Sequence, residues 1–402
     1  MNESKPLDLI PMLDRLMLRA LADTQYENVF AELCKNLADL GVPLLRVHLS
    51  VKTLHPLFSS VDLNWLREQG LEVNQRAYTA IPREAWQHSP LHWMITHRQQ
   101  ELRQDLRDQN IIQKFPIFQE FRDLGATDYI ALMTPFGDPS TAFQRQDGIL
   151  TSWLCDAPDG FSQDHIAAIR HLQPYIGLVA KLSKYEHTAR NVVAAYLGES
   201  AGHRVLDGQI RLGDVEHIPA VIWYSDLRDS TAMAERMPVQ TFLQAVNAYF
   251  QCTAGAVLDH KGEVLRFIGD AVLAVFPITH DETPTRAAEQ ALTAAREAEQ
   301  RLASLNRVRA KEQLEPLAFG LGLHIGDVLY GNIGVPSRIE FSVIGSAANE
   351  VSRLEGLTKE VGEPVLVSHA FKEALALEWR ALGAYRVKGI GARMDVFAPP
   401  LI

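Results

Sequence analysis

The stretch LRFIGDAVLAVF at residues 265–276 constrains the fold of this chain most, because it specifies two adjacent strands and the turn between them. Two apolar runs, 264–268 and 271–276, flank the dipeptide Gly269-Asp270. Glycine at the first central position of a two-residue loop predicts a type II′ hairpin, because glycine adopts the required positive φ at little cost. The turn would place the carboxylate of Asp270 at the tip of a sheet. Aspartate is also a common turn residue, so this stretch alone predicts a hairpin and no chemistry.

Length and composition predict a globular protein of two domains. The 402 residues suffice for two cores, and the contents of 47% apolar and 22% charged residues are ordinary. A formal net charge of −10 argues against a nucleic-acid partner bound through broad phosphate neutralisation, but not against one polyphosphate at a locally basic site. The three cysteines are scattered, which favours a reducing compartment. Without a signal-peptide core or a membrane-length apolar run, we expect a soluble, cytoplasmic protein with no membrane span.

Residues 1–160 mix helical and strand patterns and predict a sensor or regulatory domain, α/β in class and GAF- or PAS-like in layout. Helical spacing covers 11–40, and strand patterns occur at 41–51, 129–134 and 149–154. His88 and His92 are four residues apart on a predicted helix, a spacing that can hold a metal or haem. No third ligand type accompanies them, so surface or core histidines are the commoner explanation. The signal sensed, a small molecule or a protein, stays open.

Residues 161–217 are predicted to be a helical linker. Within it, 161–196 favours a long helix with Ser162 at its N-terminus, apolar residues at three- and four-residue spacing, and a bend at Pro174. This pattern fits a coiled-coil seam and a helix packed on the first domain equally well.

The second domain, residues 218–402, predicts an α+β fold with helices over one sheet. Asp226 follows a buried strand and enters a helix, where free backbone N–H groups suit an anion. Asp226 and Asp270, at the tips of neighbouring strands, can together hold two Mg²⁺ ions through hard oxygen ligands. The predicted elements, besides the hairpin, are a strand at 220–224, helices at 239–258, 286–305 and 347–357, and a strand at 317–324.

Five segments occur in an order that is more specific than any one of them: YSDLRDST, LRFIGDAVLAVF, LGLHIGDVLYGNIG, FSVIGSAANEVSRLE and YRVKGIG. Together, residues 218–399 resemble the catalytic domain of class III nucleotidyl cyclases, the adenylate and guanylate cyclases. The resemblance implies a ferredoxin-like sandwich with helices on a mostly antiparallel sheet. It implies two Mg²⁺ or Mn²⁺ ions per site, held by Asp226, Asp270 and the carbonyl of Leu227. It also implies phosphate contacts from Thr231 and Lys388, transition-state stabilisation by Asn349 and Arg353, and base contacts from Arg266 and Ser342.

The resemblance further implies a head-to-tail homodimer. One subunit would supply Asp226 and Asp270, and the other would supply Arg266, Ser342, Asn349, Arg353 and Lys388. Independently, Asn349 and Arg353 at i and i+4 share one helix face, where an amide and a guanidinium together favour a ligand over core packing. Attack of a ribose 3′-hydroxyl on an α-phosphate needs metals and fixed cations, and no protein nucleophile.

The base-contacting residues depart from the family pattern. Adenylate cyclases usually have Lys at position 266 and Asp or Thr at 342, whereas this chain has Arg266 and Ser342. Arginine only donates hydrogen bonds, which suits the acceptor N1 of adenine and favours ATP; GTP and pyrimidine triphosphates stay open. Asp229 replaces a common glycine and is expected to point outward or cap a helix, and Glu350 replaces an apolar residue and is expected at the dimer seam. A non-catalytic nucleotide-binding regulatory module of the same fold is the competing hypothesis.

Overall fold

The computed structural model describes residues 7–22, 25–55, 58–78, 83–386 and 393–400. The chain divides into two compact units, Met1–Val192 and Val193–Ile402. The division falls inside the segment 161–217 that the sequence predicts as a linker. No helix among the described residues is long and apolar enough to cross a membrane.

The first unit is built on a six-stranded antiparallel sheet in the order β3-β2-β1-β6-β5-β4. Three predicted strands are confirmed as β1, β5 and β6, while β2, β3 and β4 were not predicted. The strands are β1 Leu44–Lys52, β2 Phe58–Leu66, β3 Gly70–Ala77, β4 Glu101–Asp105, β5 Asp128–Pro135 and β6 Gly148–Cys155. The helices are α1 Ile10–Ala22, α2 Tyr26–Asp39, α3 Arg83–Gln87, α4 Pro90–Thr96, α5 Gln109–Ile112, α6 Ile117–Asp123, α7 Pro139–Arg145 and α8 Gln163–Leu197.

Helices cover both faces of this sheet. Val47 and Leu49 of β1 belong to one core with the buried residues of α1, α2 and α8. Tyr129 and Ala131 of β5 belong to another core with Met94 of α4 and with α6. The mixture of helix and sheet agrees with the predicted α/β layout, and the GAF- or PAS-like identity stays a prediction.

The predicted pairing of His88 and His92 on one helix is wrong. His88 follows the end of α3, whereas His92 lies in α4, which starts at Pro90 after the capping residue Ser89. The Ser89 hydroxyl accepts from the His92 backbone N–H at 3.1 Å, so a new helix begins between the two histidines. They therefore do not share a helix face.

Helix α8 confirms the long predicted helix. Ser162 accepts from the backbone N–H of His165 at 3.2 Å, as an N-cap should. Ile166, Ile169, Leu172, Ile176 and Val179 are buried in the core of the first unit, which favours the packed-helix interpretation for this part. Pro174 lies within the continuous helix.

The second unit is built on an eight-stranded sheet in the order β13-β14-β12-β10-β7-β9-β8, with β11 paired to β10. The β10–β12 pair is parallel and the other described pairs are antiparallel, which confirms the α+β, mostly antiparallel prediction. The strands are β7 Val215–Leu227, β8 Glu263–Ile268, β9 Ala271–Pro277, β10 Phe319–Val335, β11 Arg338–Ile344, β12 Val365–Ser368, β13 Arg380–Arg386 and β14 Arg393–Ala398. The helices are α9 Glu199–Leu206, α10 Ser230–Arg236, α11 Val239–Asp259, α12 Pro284–Lys311, α13 Ser346–Val361 and α14 His369–Ala374.

Alternation along β7 separates two cores. Val221 and Trp223 pack with α11 and α12, whereas Ala220 and Ile222 pack with α9 and α13. Because successive strand residues point to opposite faces, helices cover both sides of this sheet. β7, β9 and β10 are thereby held rigidly at its centre.

Candidate functional site

The hairpin forms as predicted and brings two carboxylates to one end of the sheet. Ile268 pairs with Ala271 across a two-residue turn, and Gly269 has a φ of +63°. In the β7–β9 ladder, Asp226 is opposite Ala271, the residue directly after Asp270. The strand register therefore places Asp270 beside Asp226.

The proximity of the two carboxylates changes the protonation of Asp226. Burial, and then the charge of Asp270 and a hydrogen bond with it, raise the pKa of Asp226 to about 6. The nearby backbone N–H of Leu227 and the charge of Arg228 act in the opposite direction without cancelling the shift. A partly buried pair of oxygen donors with mutual repulsion fits a hard divalent cation, which would remove that repulsion. The described residues contain no cluster of three or more His, Cys, Asp or Glu side chains for a metal.

The segment after Asp226 leads directly into α10. Leu227 is buried in the core, and Thr231 is exposed in the first turn of α10. Asp229 has a left-handed backbone with a φ of +55° and makes no side-chain cap, so of the two expected arrangements the structure has the outward one. Its exposed carboxylate lies 3.4 Å from Nζ of Lys359, which confirms the outward orientation.

A buried network that sequence patterns do not reveal lies next to Asp226. The Arg228 guanidinium lies 3.4 Å from Oε1 of Glu355 and hydrogen-bonds the hydroxyl of Thr358, so it ties the end of β7 to α13. Glu355 is 5% exposed, and burial raises its pKa to about 7 although the charge of Arg228 lowers it. A Cβ at Gly320, which is opposite Asp226 in the ladder, would collide with all three side chains.

Helix α13 presents the two predicted transition-state residues together. Asn349 and Arg353 are both exposed and lie one turn apart. The helix lies against glycines of β10, because a Cβ at Gly322 would be 2.7 Å from the Val351 carbonyl oxygen. Glu350 lies 3.6 Å from Nε2 of His324, and its expected place at a dimer seam stays a prediction.

The two predicted base-contacting residues lie on β8 and β11, which are not paired in the sheet but contact each other. Nε of Arg266, on β8, lies 3.0 Å from Oε1 of Glu340, on β11. Glu340 and Ser342 are two residues apart and therefore share a strand face. Ser342 is buried, and Arg266 is half exposed. Glu340 is a polar neighbour that the motifs did not single out, and Lys388 lies outside the described residues.

Residues 215–398 match the family model described as the adenylate and guanylate cyclase catalytic domain. Adenylate cyclase 1 of Rhizobium meliloti is 29% identical over 178 residues, which cover 43% of this chain and 26% of that protein. An adenylate cyclase of Anabaena cylindrica is 35% identical over 166 residues, covering 40% of this chain and 32% of that protein. The matched segment thus spans about a quarter to a third of these relatives.

Among solved structures, a bacterial light-regulated adenylyl cyclase is similar to this chain at 25% identity. The match has a TM-score of 0.48 and covers 57% of this chain and 65% of that structure.

Proposed function

We propose that this chain, whose residues 215–398 belong to the family of adenylate and guanylate cyclase catalytic domains, converts ATP to 3′,5′-cyclic AMP and pyrophosphate. The observation that carries this proposal is the pairing of Asp226 and Asp270 at one end of the sheet, which the β7–β9 register and the raised pKa of Asp226 both support. The first unit would regulate the reaction in response to a small molecule or a protein.

The donor set fits Mg²⁺ or Mn²⁺, two ions per site. Asp226, Asp270 and the backbone carbonyl of Leu227 are hard oxygen ligands, and substrate phosphates and water would complete the shell. Bound metal would lower the pKa of the ribose 3′-hydroxyl and neutralise charge on the triphosphate. The 3′-oxygen would then bond to the α-phosphorus, the bond to the leaving pyrophosphate would break, and the hydroxyl proton would leave to solvent.

Fixed donors on α13 would stabilise the charge that builds on phosphorus. Asn349 and Arg353 project from one exposed face, so both can reach the same ligand. Their exposure also suits a site completed by a second copy of the chain, in a homodimer with two equivalent sites. Thr231 and Lys388 are the proposed phosphate contacts.

Arg266 and Ser342 would read the base. The guanidinium donates to adenine N1, and the Ser342 hydroxyl accepts from the adenine amino group. GTP is the second candidate, because Glu340 places an acceptor beside Arg266. Guanine N1–H and its amino group could donate to that carboxylate.

The test uses the purified full chain with Mg²⁺ or Mn²⁺ and each of ATP, GTP, CTP and UTP, scored for cyclic product and pyrophosphate. Cyclic AMP from ATP at the highest kcat/KM is the expected result. Nucleotide binding without cyclic product from any of the four would instead identify a non-catalytic regulatory module. A preference for another nucleotide would leave cyclase activity intact and overturn the assignment of the base.

A further inference from the structure

A cavity of about 360 Å³ lies within the first unit, between β1, β2 and β6 on one side and α3 and α4 on the other. This volume falls within the range of pockets that hold small molecules. The helical side of the cavity is mostly apolar: Trp86, Leu91, Ile95 and Ile117 line it, together with the helix-capping Ser89.

The sheet side of the same cavity is polar along β1 and β2 and apolar at Met133 of β5 and Leu150 of β6. On β1, Val47, Leu49 and Val51 face the core beneath the sheet, and the alternate residues His48, Ser50 and Lys52 line the cavity. The β1–β2 register places Asp62 opposite Ser50 and Ser60 opposite Lys52, which extends the polar surface across two strands. Polar side chains that face apolar ones across a cavity do not make a good packing arrangement by themselves, because buried polar groups need hydrogen-bond partners.

The polar side chains of this surface have more hydrogen-bond donors than their acceptors can satisfy. Asp62 is 4% exposed and is ion-paired with Nε of Arg76, and its Oδ1 lies 3.8 Å from Nε2 of His48. Burial raises the pKa of Asp62, but hydrogen bonds from His48 and Ser50 and the charge of Arg76 bring it below its ordinary value. Asp62, the one carboxylate among the described residues that line the cavity, is therefore ionised and already engaged.

The two cationic side chains of the polar surface, Arg76 and Lys52, have N–H groups left to donate to a ligand. Arg76 has four N–H groups besides Nε, and Lys52 donates one of its three to the Arg145 carbonyl oxygen at 3.0 Å. Burial is the main cause that lowers the pKa of His48, which keeps this imidazole neutral at pH 7. With Lys52 and Arg76 positive and Asp62 negative, the lining residues that the structure describes carry one net positive charge.

We propose that this cavity binds a small organic anion with an apolar body, of the alkyl- or arylcarboxylate class. The apolar body would lie against Trp86 and Ile95, and the carboxylate would accept from Arg76 and Lys52. This inference goes beyond cyclase activity. It is tested by ligand binding to the first unit and does not depend on the reaction that the second unit performs.

The test measures binding of octanoate, below its micelle concentration, to the full chain by calorimetry and Trp86 fluorescence. The alcohol octan-1-ol and the cation octylamine are matched in length. Saturable one-to-one binding of octanoate is expected, roughly tenfold tighter than that of octan-1-ol, because the charged hydrogen bonds are absent in the alcohol. Equal affinity for octanoate and octan-1-ol, or no saturable octanoate binding, would overturn the proposal.

Substitutions of residues that line the cavity test whether octanoate binds there. Lys52→Gln and Arg76→Gln should each weaken octanoate binding about tenfold, whereas Lys35→Gln, an exposed lysine on α2, should bind as wild type does. Trp86→Phe should remove the fluorescence response while calorimetric binding persists. Arg76→Gln removes the ion pair with Asp62 and can lower the melting temperature. Lys52 is exposed, so Lys52→Gln should fold normally and keeps the test decisive. Octanoate binding that is unchanged in Lys52→Gln and Arg76→Gln contradicts the assignment.

Discussion

Without bound metal, Asp226 and Asp270 lower the free energy of unfolding more than an ordinary pair of surface carboxylates does. Burial and the neighbouring charge raise the pKa of Asp226 from its ordinary value to about 6. A raised acidic pKa means that the folded protein binds more protons than the unfolded chain between about pH 4 and pH 6. This contribution to stability is therefore present at low pH and is lost as the pH rises through 6.

Asp226→Asn should consequently stabilise the metal-free protein at pH 7 while abolishing turnover. The amide removes the repulsion, and we expect a gain of about 1 kcal/mol in the free energy of unfolding, reduced by solvent because the group is only partly buried. Denaturant unfolding at pH 5 and pH 7 gives the measurement, and the gain should be larger at pH 7. Mn²⁺ should raise the melting temperature of the wild type but not of the variant. Destabilisation of Asp226→Asn at pH 7 without metal would contradict this explanation.

Arg266 and Ser342 determine the base under the present proposal. A buried polar contact that must match the base discriminates strongly, because a mismatched base leaves a desolvated group unpaired. Arg266→Glu should lower kcat/KM for ATP heavily and for GTP less, whereas Arg266→Lys should have a mild effect on ATP. Relative kcat/KM for ATP and GTP across the three proteins is the measurement. One unchanged ratio in all three would show that Arg266 does not contact the base.

Helix α13 is placed by glycines of β10, so its proposed catalytic side chains, Asn349 and Arg353, depend on backbone contacts between two motif segments, 321–334 and 341–355. A Cβ at Gly322 would lie 2.7 Å from the Val351 oxygen and 2.9 Å from the Glu355 nitrogen, both backbone atoms. Neither can move without shifting the helix that carries Asn349 and Arg353.

Gly322→Ala should therefore destabilise the protein by about 1–3 kcal/mol and lower kcat more than it changes KM for ATP. The matched control is Gly356→Ala on α13, where nothing lies within 4 Å of the new Cβ. That exposed helical position should gain about 0.5–1 kcal/mol. Denaturant unfolding and steady-state kinetics of both variants test the packing, and wild-type stability of Gly322→Ala would contradict it.

Elements with strong local signals were predictable from the sequence. The Gly269-Asp270 turn and the flanking apolar runs specify β8 and β9 within a dozen residues, and α11 and α12 follow from helical spacing. β2 was missed because it mixes polar and apolar residues on a face that lines a cavity, and β3 because most of its residues are exposed and give no alternating apolar pattern. The Arg228–Glu355 contact joins residues that are far apart in sequence, so no local pattern could indicate it.

The function proposed for the second unit rests on sequence motifs, whereas the function proposed for the first unit rests on a cavity in its structure. The second unit carries the family's motifs and brings Asp226 and Asp270 together. The first unit carries no motif that names a ligand, and its cavity emerges only from tertiary structure because β1, β2, α3 and α4 contribute to it jointly. Regulation of the cyclase by this unit stays a proposal.

The proposed shared site divides the catalytic residues between two copies of the chain. Asp270→Ala removes a proposed metal ligand, and Arg353→Ala removes a proposed transition-state contact. Each protein alone should lose about 10²–10³-fold or more in turnover, because every site in its homodimer is defective. Folding is checked by the melting temperature of each variant.

The most direct test mixes these two inactive proteins and measures cyclic AMP formation from ATP. In a heterodimer, one site carries both lesions and the other carries neither, so activity should return to roughly half the wild-type rate per heterodimer. A tag on each variant confirms that heterodimers form. The account predicts recovered activity that rises with the heterodimer fraction; heterodimers that form and stay as inactive as the separate variants would contradict it.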